Sequence, residues 1–549
     1  MIFLTLSWLL PNHYPPWGTF HSELFAFVGL AGLLLTLVRT GGLITIPIVS
    51  IALAGIGFIP WGQYLAGEVF FFGDAFISTP YLLVFALSIA IAYSWNSNAQ
   101  SIGAHDILEL TAKGVFAAAL ISAMLALLQW LSLTDFLGSF AVGIEPGERA
   151  GANLSQANQL GTLLVMGMGS AAVLYERRKI GLFTLGLGVA FMSWAMVLSE
   201  SRTAVLSAFA VGGFLFFRIK SVNGRLSRKD VLAGLALVIL ARWLLPVANE
   251  LLLFTAPRGN AFLDQTGRAE IWWQTLYAIQ ASPWWGYGWN QTPIAQAAGA
   301  LKYPGTLYFT YSHNLFLDIF VWVGLPLGLI INGGLIYWFL SRLIRATFMR
   351  GVYAMGMLLP VAIHSLLEYP FAYAYFLLTA GLLIGVLEIS TSGRSTSPLP
   401  RRSGWLAVSV LIIGISYYAY EYFLIEEDYR VARFEGLNVG RTPEDYKRPT
   451  IYINTQLDAL LVVQRQHAEK NMTTRQLKDL QHVALRFGYR PLAYRYALAL
   501  GLNGDAAGAT EQMRLVRSMY GEKYYQSTKE DMLRLADTKY PELREVRLP

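Results

Sequence analysis

The chain contains no cysteine, so neither a disulfide nor a thiolate metal site contributes to it, and the redox state of its compartment is left open. Charge is also scarce. Asp, Glu, Lys and Arg make up 14% of the residues against 55% hydrophobic ones, and the mean hydropathy is +0.44. A water-soluble globule of this length does not carry that balance, and the composition is that of a membrane protein. Several motifs are missing as well: a P-loop, a G-x-G-x-x-G opening a helix, an HExxH pair, and an Asp-x-Asp pair in any stretch expected outside the membrane. ATP-driven transport and zinc hydrolysis lose support, and neither a metal nor a cofactor is expected.

What is present is a long series of apolar runs, each near the roughly twenty residues that cross a hydrocarbon core. They fall at about 22–38, 42–60, 75–93, 111–133, 159–175, 180–198, 203–217, 231–254, 314–340, 352–368, 371–389 and 405–424. The apolar start Met1–Leu10 is a further short candidate, cut off by PNHYPPW. The pattern predicts an all-α polytopic protein with about 12–13 transmembrane helices. Alternate loops separate by charge. Arg39, Lys113, Arg177–Lys179, Arg218–Lys229, Arg342–Arg350 and Arg394–Arg402 mark the side expected to be cytoplasmic. The opposite side includes a long loop at about 255–313. Its few basic residues, Arg149, Arg202, Arg258, Arg268 and Lys302, run against the orientation rule and call for a local reason.

Residues 1–424 therefore read as a transmembrane domain and 425–549 as an extramembrane helical domain. The latter holds 20 Lys/Arg and 17 Asp/Glu, almost half of the charged side chains in the chain. Within it, two amphipathic helices flank a turn at Gly501, Asn503, Gly504 and Asp505, in a pattern like a tetratricopeptide hairpin. The pI of about 9.2 does not point to nucleic acid, because the positive charges outside the tail lie mainly in short loops between spans.

The stretch YSHNLFLDIFVWVGLPLG, Tyr311–Gly328, sets a His-Asn pair at the mouth of a long apolar helix, just after the long loop. His313 is the candidate catalytic group, since imidazole titrates near neutrality; the plainer reading makes Ser312, His313 and Asn314 a helix-capping array. Asp318, one turn on, either orients the ring or is a span-boundary charge. Arg202 in LSESRTAVL and Arg268 in DQTGRAEIWWQT suit a pyrophosphate, because a guanidinium stays charged and offers paired donors. Each also has a bland alternative as a snorkelling or helix-surface charge. Trp272 and Trp273 are expected to be interfacial anchors, and Arg242, deeper in ARWLLP, either faces a wet cavity as a third cation for the donor or pairs with Glu250. ANLSQANQLG supplies Asn153, Gln156, Asn158 and Gln159 just before a span. These amides suit sugar hydroxyls or helix capping. HSLLEYPFAYAYF sets His364 and Glu368 one turn apart, with Tyr369, Tyr373 and Tyr375 around Pro370.

Together these stretches resemble the O-antigen ligase and polymerase superfamily of bacterial membrane glycosyltransferases. With PNHYPPWGTFHSE, HSLLEYPFAYAYF and the helical tail, the chain is most similar to the general protein O-oligosaccharyltransferases of the pilin-glycosylating type. The resemblance implies an undecaprenyl-pyrophosphate-linked oligosaccharide donor and a Ser or Thr hydroxyl of a periplasmic, pilin-like acceptor. It also implies residence among the lipids of the bacterial inner membrane, with the active site and tail in the periplasm. It makes His313 the base or acceptor-orienting group and Arg202 and Arg268 the pyrophosphate ligands. Gln156 or Gln159 matches its amide motif, with Asn158, Asn314 and Tyr369 on the substrate side. Transfer to lipid A core, O-antigen polymerisation, a polyprenol-glycan flippase and a membrane-anchored scaffold are the rival readings.

Overall fold

A computed structural model of the chain describes residues 1–98, 106–145, 147–252, 254, 267–391 and 395–548. Arg258, Arg394 and the first part of the expected outer loop lie outside the described residues. The protein is all-α, and ten helices among the described residues are long and apolar enough to cross a membrane. Two further expected spans form the 17-residue helices Leu182–Leu198 and Met349–Ser365. The apolar start gives only the five-residue helix Ile2–Leu6, because the prolines of PNHYPPW cannot continue it.

The chain divides into two compact units. The first comprises 1–56, 81–264 and 336–417. Its centre is the helix Ala157–Glu176, almost every residue of which is buried, polar Asn158, Gln159, Thr162 and Ser170 included. Buried polar groups inside an apolar bundle must find partners there, and this helix is where the polar contacts of the unit collect.

The second unit comprises 57–80, 265–335 and 418–549. Its helix Leu315–Arg345 departs from the single long span expected at 314–340. Gly324 sits at φ 74°, ψ 176°, and Pro326 follows it. Asn332 Nδ2 donates to Phe316 O at 3.1 Å across a separation of 16 residues, whereas an unbroken helix would hold those groups about 24 Å apart. The segment is therefore a hairpin, with the short arm from Leu315 folded back on the longer one.

The segment Ser282–Gly288 takes up the backbone groups that the break releases. Tyr287 N donates to Val321 O at 2.8 Å and Leu325 N to Pro283 O at 2.7 Å. No side chain fits at the crossing: a Cβ on Gly324 would lie 2.3 Å from Trp284 O, and one on Gly286 would lie 2.4 Å from Val321 O.

The tail is carried by the 36-residue helix Arg401–Gly436, which runs straight through the expected boundary at 424. Three carboxylates at seven-residue spacing line the part of it within this unit. Glu421 accepts from the backbone N–H groups of Ile453 and Asn454, Asp428 binds Arg448 and Arg465, and Glu435 binds Arg465. Helices Thr455–Arg465, Thr474–Phe487, Arg490–Leu502, Ala506–Tyr520 and Glu522–Thr538 follow. The expected hairpin is formed by the third and fourth of these, with Gly504 at φ 86° and Asp505 capping Gly508 N.

Loop helices Arg268–Ala281 and Thr292–Ala300 belong to the same unit. Ala297 and Ala300 are buried among Ala493, Leu515, Val516 and Met519 of the tail. Asp74 and Arg486 form a two-pronged ion pair at 2.8 Å, and Phe70 stacks on His482 with ring centroids 4.1 Å apart. Burial alone would pull the Arg486 guanidinium down, but the charge and hydrogen bonds of Asp74 outweigh it and hold the group above its ordinary value.

Candidate active site

In the second unit the chain is clamped on both sides of His313. Fully buried Ser312 donates its N–H to Asp318 Oδ1 at 2.8 Å and accepts the Trp272 indole N–H on its carbonyl at 3.0 Å. Thr292 Oγ1 donates to the same Asp318 oxygen at 3.1 Å and accepts from Trp322 Nε1 at 3.0 Å. On the other side Asn314 is the helix cap: its Oδ1 accepts from Phe316 N at 3.0 Å and Leu317 N at 3.2 Å. His313 between them has φ 58°, the left-handed region that a residue with a Cβ rarely adopts. Such a conformation costs on the order of 1 kcal/mol or more and persists only where the surroundings over-determine it. Asp318, Trp272 and Asn314 provide that constraint.

Arg268 opens the helix Arg268–Ala281 directly after Gly267, which is also left-handed at φ 60°. It stands one turn before Trp272, on the same helix face. The indole of Trp272 thus ties the helix bearing Arg268 to the residue preceding His313. Trp272 is consequently part of the scaffold of the site, where an interfacial anchor was expected, whereas Trp273 is 51% exposed.

A second polar cluster lies in the first unit. Gln156 caps the central helix, its side chain accepting from Gln159 N at 2.6 Å. Asn158 Oδ1 accepts from Ser201 Oγ at 2.8 Å and Arg149 Nη2 at 3.2 Å, and its Nδ2 donates to Glu368 Oε1 at 3.1 Å. Gln159 Oε1 accepts from the Tyr375 hydroxyl at 2.8 Å. Ser201 in turn caps the helix that Arg202 opens. Arg149 also donates to Ser199 O at 2.9 Å, the local reason for an arginine on the side expected to carry few. Ala152, Ser155 and Glu200 all hold positive φ around this cluster.

Asn153 donates to Leu9 O and Phe140 O and accepts from Val142 N. His364 Nδ1 lies 2.9 Å from Thr162 Oγ1. Tyr369 leads into the turn at Pro370 and stacks on Tyr373 at 6.0 Å. Burial first, and then the Glu368 charge, push its hydroxyl above the ordinary value.

The structure therefore gathers Gln156, Asn158, Gln159 and Tyr369 into one polar cluster, with Arg202 next in sequence to its Ser201, and sets His313 between Ser312 and Asn314 of a second cluster, with Arg268 one turn before its Trp272. The amides read as sugar-binding make their contacts inside the protein, at 9% exposure for Asn158 and 3% for Gln159. Arg242 is exposed on the helix Arg228–Leu251, beside exposed Trp243 and Leu244. Thr292, Trp272 and Arg149 are the contributors that sequence reasoning missed. Only the Trp-rich run and the misplaced arginine hinted at them.

Residues 187–332, which include Arg202, Arg242, Arg268 and His313, match a family profile described as O-antigen ligase. Residues 352–533 match a second, described as virulence factor membrane-bound polymerase, C-terminal. The chain is a membrane glycosyltransferase, and its matches lie in the O-antigen ligase superfamily. Within this superfamily it is 28% identical over 544 residues to the general O-oligosaccharyltransferase of Acinetobacter baylyi, covering 95% of this chain and 92% of that protein. It is 26% identical over 546 residues to the ComP-specific O-oligosaccharyltransferase of the same organism, covering 95% of each. It is a multi-pass membrane enzyme of glycan transfer.

Proposed function

We propose that this glycosyltransferase moves a pre-assembled oligosaccharide from undecaprenyl pyrophosphate to Ser or Thr hydroxyls of periplasmic, pilin-like proteins. It would act from the bacterial inner membrane, with His313 and the tail on the periplasmic side. The observation that carries the reading is the left-handed, doubly clamped backbone of His313 on the scaffold that also holds Arg268. The names of the two Acinetobacter relatives, aligned along nearly the whole chain, support a protein acceptor.

A hydroxyl is a poor nucleophile until a base takes its proton, which is the role assigned to His313. Lipid pyrophosphate leaves readily once its charge is stabilised, which is the role assigned to Arg268 and Arg202, with Arg242 as a further cation toward the lipid. Asn314 and Tyr369 would lie on the acceptor side. Asn158, Gln156 and Gln159 would shape that region through the network that they already form. The transfer is then a single displacement that inverts the anomeric centre and uses no metal.

The match to the O-antigen ligase profile favours a second reading, transfer to lipid A core or to a growing O-antigen. Purified enzyme offered pilin and rough lipopolysaccharide as competing acceptors, in excess EDTA, tests both points. Glycosylated pilin of inverted configuration is expected. Transfer to lipopolysaccharide alone, or loss on chelation with rescue by magnesium or manganese, would contradict the proposal.

A further inference from the structure

A cleft of about 580 Å³ lies in the tail, bounded by the helix Arg490–Leu502, the end of the helix Glu522–Thr538 and the turn that follows the helix Thr455–Arg465. Arg495 stands in its wall. All of its hydrogen bonds leave from Nη1, to Val463 O at 2.7 Å, Gln464 O at 3.3 Å and Gln466 O at 2.9 Å. These carbonyls close the helix Thr455–Arg465, and holding them fixes the plane of the guanidinium. Nε and Nη2 form the edge that grips a carboxylate through two parallel bonds, and they bond to none of the described residues. Burial pulls this guanidinium below its ordinary value, since no carboxylate pairs with it among the described residues. Burial acts in the same way on Arg465 and Arg486, but there Asp428 with Glu435, and Asp74, outweigh it. A partly buried charge without a counter-charge is costly and calls for an anion. The rest of the cleft is mixed. Leu498 and Leu535 give it an apolar wall, Tyr494 is tied to Asp531 at 2.8 Å, and exposed Glu469 and Lys539 stand at its rim.

We propose that this cleft docks an acidic segment of the acceptor protein, with one Asp or Glu carboxylate on Nε and Nη2 of Arg495 and an apolar neighbour against Leu498 and Leu535; that the occupant is the acceptor rests on the protein-acceptor reading above. A carboxylate matches the free edge of the fork in charge and in planar geometry, and it needs no movement of a side chain already pinned from the other side. The leucines then take up the residue beside it. A lipid phosphate answers the charge of Arg495 but sets glycerol oxygens against the apolar wall, and Glu469 opposes its remaining charge. Lys539 and Glu469, of opposite sign at the rim, tune the attraction in opposite directions. The tail holds the acceptor through this site, apart from the residues assigned to the chemistry.

The test uses the full-length purified protein in detergent and two labelled synthetic peptides that differ only in a Glu-Leu or a Gln-Leu pair, with phosphatidylglycerol in mixed micelles as the rival source of an anion. The native protein is expected to bind the Glu peptide at least about tenfold more tightly than the Gln peptide. Arg495→Gln, whose amide still reaches the carbonyls, should erase that preference. Lys539→Glu should weaken binding of the Glu peptide by about threefold and Glu469→Lys should strengthen it by about as much, opposite signs that a damaged fold does not produce. In transfer to pilin the same variants should shift the acceptor KM in the same order, with kcat and donor KM unchanged. Equal binding of both peptides by the native protein, or an acid preference kept by Arg495→Gln, overturns the site. Should Arg495→Gln lose its native Tm, the two rim variants decide, and no change in either overturns it as well. Binding of phosphatidylglycerol without either peptide assigns the cleft to lipid and overturns the proposal. Acid-selective binding by a native protein that transfers nothing to pilin overturns the protein-acceptor function, and with it the identity of the occupant, while the ligand class of the cleft stands.

Discussion

His313 occupies a backbone region that its side chain disfavours, and the groups that hold it there come from three separate places in the chain. The histidine itself was legible in the sequence, because YSHN stands where a loop gives way to an apolar helix. Its conformation was not legible, because Thr292 and Trp272, 20 and 40 residues upstream of Ser312, help impose it. For the amides of ANLSQANQLG the sequence left sugar hydroxyls and helix capping both open, because a buried helix start uses the same donors and acceptors; Gln156 caps the helix, and Asn158 and Gln159 make contacts inside the protein. Asp318 acts here as a positioning residue, since it grips Ser312 rather than a reacting atom. Asp318→Ala should therefore lower kcat for transfer by about 10- to 100-fold with donor KM little changed, and Asp318→Asn, which keeps one acceptor oxygen, should restore part of it. An unchanged kcat with a raised KM would place Asp318 in donor binding instead.

Among the helices, existence and approximate bounds could be read from apolar runs alone. Interruptions could not. The break at Gly324 was present in the sequence as Gly-Leu-Pro, but apolar residues on both sides disguised it as one span, and only the Ser282–Gly288 segment crossing there reveals why glycine is needed. Gly324→Ala should destabilise the protein by about 2 kcal/mol or more, seen as a lower Tm in detergent together with lost transfer. A Tm equal to that of the native protein would mean that the hairpin is not built as described. The seven-residue carboxylate stripe of the helix Arg401–Gly436 was likewise missed, because its partners lie in the tail beyond it.

His482, stacked on Phe70, gives the tail a pH dependence. Burial, and then the Lys478 charge, push its imidazole below the ordinary 6.5, with Asp479 opposing. The neutral ring is the folded form, so its contribution is complete above pH 6.5 and is lost as pH falls through the lower, folded value. Tm should drop between pH 7.5 and 5.5, and His482→Phe should flatten that part of the curve. A variant with the same slope as the native protein would assign the effect elsewhere.

At the scale of the molecule, composition was enough to establish a polytopic membrane protein with a charged helical tail. The grouping of 57–80, 265–335 and 418–549 into one unit was beyond it, since contacts such as Asp74–Arg486 span more than four hundred residues. The absence of cysteine makes orientation directly measurable. Exposed Glu444→Cys and Arg178→Cys can each be treated in intact cells with a membrane-impermeant maleimide. Only the tail position should react once the outer membrane is permeabilised, and the reverse pattern would put the tail in the cytoplasm.

The central claim, that His313 takes the acceptor proton while Arg268 holds the donor, is tested most directly by measuring transfer and donor binding side by side in His313→Ala and Arg268→Ala. The histidine variant should lose at least about 100-fold in transfer with donor binding nearly intact, and the arginine variant should bind donor more weakly. Equal loss of both functions in both variants would contradict that division of roles.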